Sequence, residues 1–184
     1  MSELEQSQKT GAVTGDLKHL AGKYLTFRLG NEDYGFQILK VQEIIGIMNV
    51  TRVPKMPEFV RGIINLRGKL IPVVDMRAKF TMSKQEDTLK TCIIVVEVNI
   101  SAAKVTMGVI VDNVSEVLSI TEQQIDPPPT FGTNIETAFM LGMGKVGQKV
   151  VILLDIDRVL TGTEVEQIHA AVLTQNVSAK VDTK

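Results

Sequence analysis

Between Arg61 and Arg77 the chain reads RGIINLRGKLIPVVDMR, and one side chain there stands out chemically. Ile63, Ile64 and Leu66 enter, Arg67-Gly68-Lys69 turn, and Leu70 to Val74 return, which is the pattern of a two-stranded hairpin. The return strand is nearly all apolar, so both its faces should be covered. Arg67 therefore sits at the tip of a rigid element, followed by a glycine able to take a tight turn. A guanidinium held there can make a two-pronged bond to a carboxylate. Two recipients are open: a group on a partner, or Glu43 of the same chain as an internal brace. Val41 and Glu43 lie two apart in a strand-like segment and are expected to face the same side. An apolar residue beside an acid on one exposed face would suit a docking helix, whereas the plainer reading is one core valine and one solvated carboxylate. Gly62 and Gly68 read first as backbone devices, although small residues also let a partner approach closely.

No set of nucleophile, base and orienting group is readable, so no catalytic residue is expected. The stretches from Gly62 to Lys69 and from Gly142 to Lys149 lack the spacing of a phosphate-binding loop. His19 and His169 have no Cys or acidic partner at metal-ligand spacing, and no glycine-containing calcium loop surrounds Asp155 and Asp157. Neither a metal nor a cofactor is expected. Cys92 opens an apolar strand and should be a buried small hydrophobe.

Charge and composition narrow the partners. The 184 residues carry 20 Lys and Arg against 21 Asp and Glu, a formal net charge of −1, which does not supply the basic field that nucleic acid requires. The single Cys cannot form an internal disulfide and no signal peptide is visible, both consistent with a reducing cytoplasm. The apolar runs fall far short of a membrane span, so no direct insertion is expected. Aromatics are 4% of the chain and Trp is absent, leaving Val, Ile, Leu and Met to fill the core, residues suited to pleated surfaces.

The elements that would hold Arg67 are mostly strands. Residues 1–20 are polar without periodicity and read as a flexible tail. Tyr24 to Leu29 and Tyr34 to Ile38 form a hairpin about Gly30-Asn31-Glu32-Asp33; Val41 to Ile47 continues apolar, and Val50 to Val53 reads as another short strand. Thr91 to Val98 and Val105 to Val111 are strong strands, Asp126 to Thr130 is a proline loop, and Val146 to Leu154 is a further hairpin. Thr163 and Glu166 fit a capping box for a helix over 163–176, with Val165, Ile168 and Val172 on one face, and 177–184 reads as a second flexible tail. The chain also repeats itself. Val60–Phe80 aligns with Met140–Leu160, matching Gly62, Lys69 and Asp75 to Gly142, Lys149 and Asp155, and Tyr34–Ile45 aligns with Met107–Leu118. The order strand, strand, Val-x-Glu, hairpin thus occurs twice, and two small barrels are expected from it.

The segments Tyr34-Gly35, Ile38 to Ile44, Gly62 to Gly68, Pro72 to Asp75 with Arg77, and Val111 to Leu118 together resemble the CheW family, adaptors of bacterial chemotaxis, over about Lys23 to Leu160. The resemblance implies an all-β, SH3-like architecture of two five-stranded β-barrels side by side with a C-terminal helix. The module would cover 21–162, divided roughly into 21–61 plus 136–162 and 62–135, with the Arg61 hairpin joining the second barrel and the Gly142 hairpin returning to the first. It implies a cytoplasmic scaffold without enzymatic activity, linking the cytoplasmic tip of methyl-accepting chemoreceptors to the regulatory domain of the histidine kinase CheA, and reaching the membrane only through receptors. Receptor contacts would come from Val41, Glu43, Gly62, Asn65, Leu66, Arg67 and Gly68; the kinase face is implied only as a region around Val109 to Leu118. The second repeat lacks the Asn-Leu-Arg-Gly tip, so its role should belong to the first copy. A detached regulatory domain of a CheA-like kinase, or a small enzyme with an unrecognised site, are the alternatives.

Overall fold

The computed structural model describes residues 17–100, 103–129 and 138–181. The strands are β1 Gly22–Leu29, β2 Glu32–Gln37, β3 Val41–Gly46, β4 Val60–Leu66, β5 Lys69–Asp75, β6 Cys92–Ile100, β7 Ala103–Val111, β8 Asn113–Ile120, β9 Ile125–Asp126, β10 Met140–Val146 and β11 Lys149–Leu154. The helices are α1 Met76–Lys79, α2 Ile156–Val159 and α3 Gly162–Val181. One sheet runs β8-β1-β2-β11-β10-β9 and the other β3-β6-β7-β5-β4. The mostly β fold with a C-terminal helix is as expected, but the two units are open sheets of six and five strands rather than closed five-stranded barrels.

Each sheet is apolar on both faces, which is why its strands read as runs. In β6, Ile93 and Val95 enter a core enclosed by the five-stranded sheet, while Ile94, Val96 and Val98 enter the core between the sheets. In β11, Val151 and Leu153 belong to the core within the six-stranded sheet and Leu154 to the shared one. The backbone ladders stop short of closure for local reasons. Between β3 and β4 only Thr51 bridges to Ile63, and Pro54 and Pro57 follow, with no N–H to donate. β9 is two residues long and runs into Pro127-Pro128-Pro129.

The repeat is structural. β4, β5 and α1 recur as β10, β11 and α2; Asp75 caps α1 through the Arg77 N–H, and Asp155 caps α2 through the Asp157 N–H. Gly62 and Gly142 both follow a register shift, and a Cβ on either would meet the carbonyl oxygen of a crossing segment, Thr51 at 2.0 Å and Asp126 at 2.7 Å. β5 pairs parallel to β7 and β11 parallel to β2, so each hairpin joins the other copy's strand. The third strands also exchange: β3 pairs with β6 and β8 with β1, although 21–61 and 62–135 would have kept each with its own half.

Residues 17–20 depart from the expected tail. Leu17–Leu20 is a 3-10 turn in which Leu20 is buried, its carbonyl accepting from the Tyr24 hydroxyl at 2.6 Å. Residues 50–53 contribute one bridge rather than a strand. α3 starts one residue early and extends through Val181; its capping box is Thr161 with Glu164, not Thr163 with Glu166. Both pairs have the required spacing, and Glu164 wins because it also receives Lys79 at 2.9 and 3.0 Å. Val165, Ile168 and Val172 are buried as expected. Cys92 is only partly buried, its thiol donating to the Lys90 carbonyl at 3.2 Å. The expected tails over 1–16 and 182–184, and Thr130 of the proline loop, lie outside the described residues.

Candidate functional site

The β4–β5 hairpin turns through Arg67 at φ 52° and Gly68 at φ 88°, the two positive angles of a type I′ turn. The Asn65 side-chain oxygen accepts from the Gly68 N–H at 2.8 Å, fixing the turn from within. Arg67 then points across the seam between the free edges of the five-stranded sheet. Its Nη1 donates to Glu43 Oε2 at 3.2 Å and its Nη2 to Glu43 Oε1, a fork joining β4–β5 to β3 where no backbone ladder does. The brace considered from sequence is therefore formed. It leaves the Arg67 side chain 73% exposed, so the guanidinium still presents an outer face. Beneath it lies a cavity of about 280 Å³ lined by Gln42, Glu43, Leu66, Arg67, Lys69, Ile71 and Thr106.

Val41 does not join this cluster. The β3–β6 register shifts between Val41, opposite Val96, and Glu43, opposite Val95. Val96 belongs to the inter-sheet core and Val95 to the core within the sheet, so the bulge at Gln42 turns Val41 and Glu43 toward opposite faces. Val41 packs against the inter-sheet core and Leu66 against the inner one. Gly62 is buried at the far end of β4 against Thr51. Glu43, Asn65, Arg67 and Gly68 converge at the tip, with Leu66 under them. Two apolar residues of this stretch are left exposed, Ile44 at 43% and Leu39 at 95%, but Ile44 lies opposite Ile94 and so faces the Val41 side, away from Glu43.

Carboxylates elsewhere lock the frame that holds the tip. Asp112 accepts Arg77 Nε and Nη2, both at 2.6 Å, and the Gly30 N–H at 2.8 Å, tying the β1–β2 turn to α1. Burial pushes the Asp112 carboxyl upward, but the Arg77 hydrogen bonds, the Gly30 N–H and the arginine charge outweigh it and hold the group below its ordinary value. Glu164 behaves alike: burial raises it, and Lys79 with Thr161 brings it below the usual carboxylate range. Arg61 grips Asp75 at 2.8 Å and Asp87 at 3.0 Å at the open end of the hairpin. At the second repeat's tip, Gly147 and Gln148 replace Arg67 and Gly68, and Lys145 pairs with Asp126 at 3.1 Å instead. Among the described residues no group of three or more His, Cys, Asp or Glu could hold a metal ion, and no helix is long and apolar enough to cross a membrane.

The geometry has known counterparts. The family model described as CheW-like domain matches residues 23–164. The chain is 41% identical over 142 residues to the chemotaxis protein CheW of Klebsiella aerogenes, covering 77% of this chain and 83% of that protein. It is 32% identical over 157 residues to the chemotaxis protein CheW of Rhizobium meliloti, covering 84% of this chain and 99% of that one. Among solved structures, the scaffolding protein TtCheW of Thermoanaerobacter tengcongensis superposes with a TM-score of 0.69 at 39% identity, over 78% of this chain and 97% of that chain.

Proposed function

The chain belongs to the CheW family of chemotaxis scaffold proteins, and we propose that it couples chemoreceptors to the histidine kinase CheA in the cytoplasm by binding alone, with no covalent step. The observation that carries this reading is the Arg67 tip. A non-glycine residue is held at positive φ, forked to Glu43, and still largely exposed, and this arrangement occurs in the first repeat and not the second. Backbone held in a sparsely populated region is a reason to look for function there. A pre-set cation with a second open edge suits recognition of a helical hairpin that offers carboxylates or carbonyl groups.

The receptor surface is assigned to Glu43, Asn65, Arg67 and Gly68, with Leu66 beneath them; Gly62 and Val41 lie outside this cluster. A different surface holds the regulatory domain of the kinase. Signal passes if receptor states differ in affinity for the assembled adaptor–kinase pair, since equal affinity would shift nothing. Titration of the full chain with a purified chemoreceptor cytoplasmic fragment tests the assignment: binding of micromolar order, about −8 kcal/mol, is expected, with at least about a tenfold loss for Arg67→Glu. Equal binding by Arg67→Glu and the parent would refute it.

A further inference from the structure

A cavity opens on the six-stranded sheet where the chain enters the fold. It measures about 410 Å³ and is walled by the 3-10 turn Leu17–Leu20, the end of β2 at Gln37, the prolines after β9, the start of β10 and α2. Leu17, Leu20, Pro127, Pro128, Met140 and Leu141 give it an apolar lining. Leu17, Pro128, Met140 and Leu141 are only half-buried, and Pro127 is exposed. On the rim the Arg158 side chain is 70% exposed, and its contact with Asp155 is a long one at 3.5 Å. Asp155 is also engaged elsewhere, accepting the Asp157 N–H as the cap of α2. These elements belong to the six-stranded sheet and its flank, whereas the Arg67 tip belongs to the five-stranded one.

Residues 1–16 lie outside the described residues, and Leu17, the first described one, is itself part of the cavity wall. Their sequence, MSELEQSQKTGAVTGD, sets Ala12 and Val13 between Gly11 and Gly15. Glycine adopts positive φ at no steric cost, so Gly15 permits the chain to reverse just before Leu17. Val13 is four residues from Leu17. Even fully extended that stretch spans at most about 14 Å, which keeps Val13 within reach of the wall. A tether this short holds the segment at an effective concentration on the order of millimolar, so a modest apolar contact suffices. Charge agrees as well: the segment carries Glu3, Glu5 and Asp16 against Lys9, and the loosely held Arg158 guanidinium can take a second carboxylate. We propose that residues 11–15 turn back and seat Val13 in this cavity, with the acidic stretch before them at Arg158. The N-terminal segment is then a removable cover for the proline edge, and a partner that reads that edge must displace it. The proposal is independent of the docking reading above.

The chain has no Trp, so Val13→Trp in the full chain supplies a single fluorophore on the segment itself. Its emission should be blue-shifted relative to free tryptophan. The shift should be lost when Pro127→Glu or Arg158→Glu is added, and kept when Leu173→Glu is added as a control on α3. Pro127, Arg158 and Leu173 are all exposed, so thermal melting should stay close to the parent. As a second readout, thiol labelling of Pro127→Cys in a Cys92→Ser background should be several-fold faster once residues 1–16 are deleted. Solvent-like emission from Val13→Trp, or a shift that survives both Pro127→Glu and Arg158→Glu, would overturn the proposal. Labelling of Pro127→Cys at one rate with and without residues 1–16 would also overturn it, by leaving the edge uncovered or giving it to residues 130–137. A blue shift lost on dilution would overturn it too, by assigning the cavity to the segment of a second copy.

Discussion

Arg67 occupies the first central position of a type I′ turn, where Asn, Asp or Gly fits at lower cost. Replacing it separates stability from recognition. Arg67→Asn relieves the left-handed backbone, worth about 1–2 kcal/mol, and removes a largely exposed ion pair worth about 0–1 kcal/mol. The expected result is a melting temperature equal to the parent or slightly higher, measured by circular dichroism, together with at least tenfold weaker receptor binding; a large drop in melting temperature would make the residue structural. Arg67 and Glu43 were legible in the sequence because a Gly-containing turn between apolar runs has few solutions and an arginine at its tip needs an acid. Val41 was not. VQE reads as a regular strand, and the extra residue that reverses its facing is a matter of register against β6, which local pattern does not contain. Two aspartates therefore test the burial of this strand. Val41→Asp should cost at least about 2 kcal/mol by burying a charge against the inter-sheet core, while Ile44→Asp, at an exposed position, should change stability by about 0.5 kcal/mol or less. Denaturant melts of the two variants check this.

Hairpins were the legible elements: local turn chemistry defines β1–β2, β4–β5 and β10–β11, and the two copies reinforce one another. Their assembly was less so. The exchange of β3 and β8 between sheets depends on which edges are left open, and both Thr-x-x-Glu pairs before α3 satisfy the capping rule until Lys79 selects Glu164. Gly62 shows why an element can depend on one absent atom. At φ 147° with a virtual Cβ 2.0 Å from the Thr51 carbonyl oxygen, Gly62→Ala must displace the Thr51 crossing, the one backbone bridge over the seam that Arg67 also spans. A loss of about 2–4 kcal/mol is expected, read as a fall in melting temperature of several degrees. Wild-type stability in Gly62→Ala would mean that the Thr51 crossing does not constrain β4.

Three stacked apolar layers, one within each sheet and one between, make the molecule a rigid frame, and carboxylates clamp its seams. Asp112 and Glu164 are both held below their unfolded values of 3.8 and 4.5. A depressed folded value means the stabilisation is fully present above the unfolded value and is lost as pH falls through the folded one. Melting temperature should therefore be level from neutral pH to about 5 and fall below it, with a shallower acid slope in Asp112→Asn; an unchanged slope would remove Asp112 from the account. A frame of this kind offers preset surfaces, which suits the proposed role of holding two partners in one geometry. That claim is tested most directly by mixing the full chain with a chemoreceptor cytoplasmic fragment and the CheA regulatory domain and measuring complex mass by sedimentation. A species containing all three chains is predicted, with Arg67→Glu losing the receptor and keeping the kinase domain. Mutual displacement of the two partners, or failure of the chain to bind either, would contradict it.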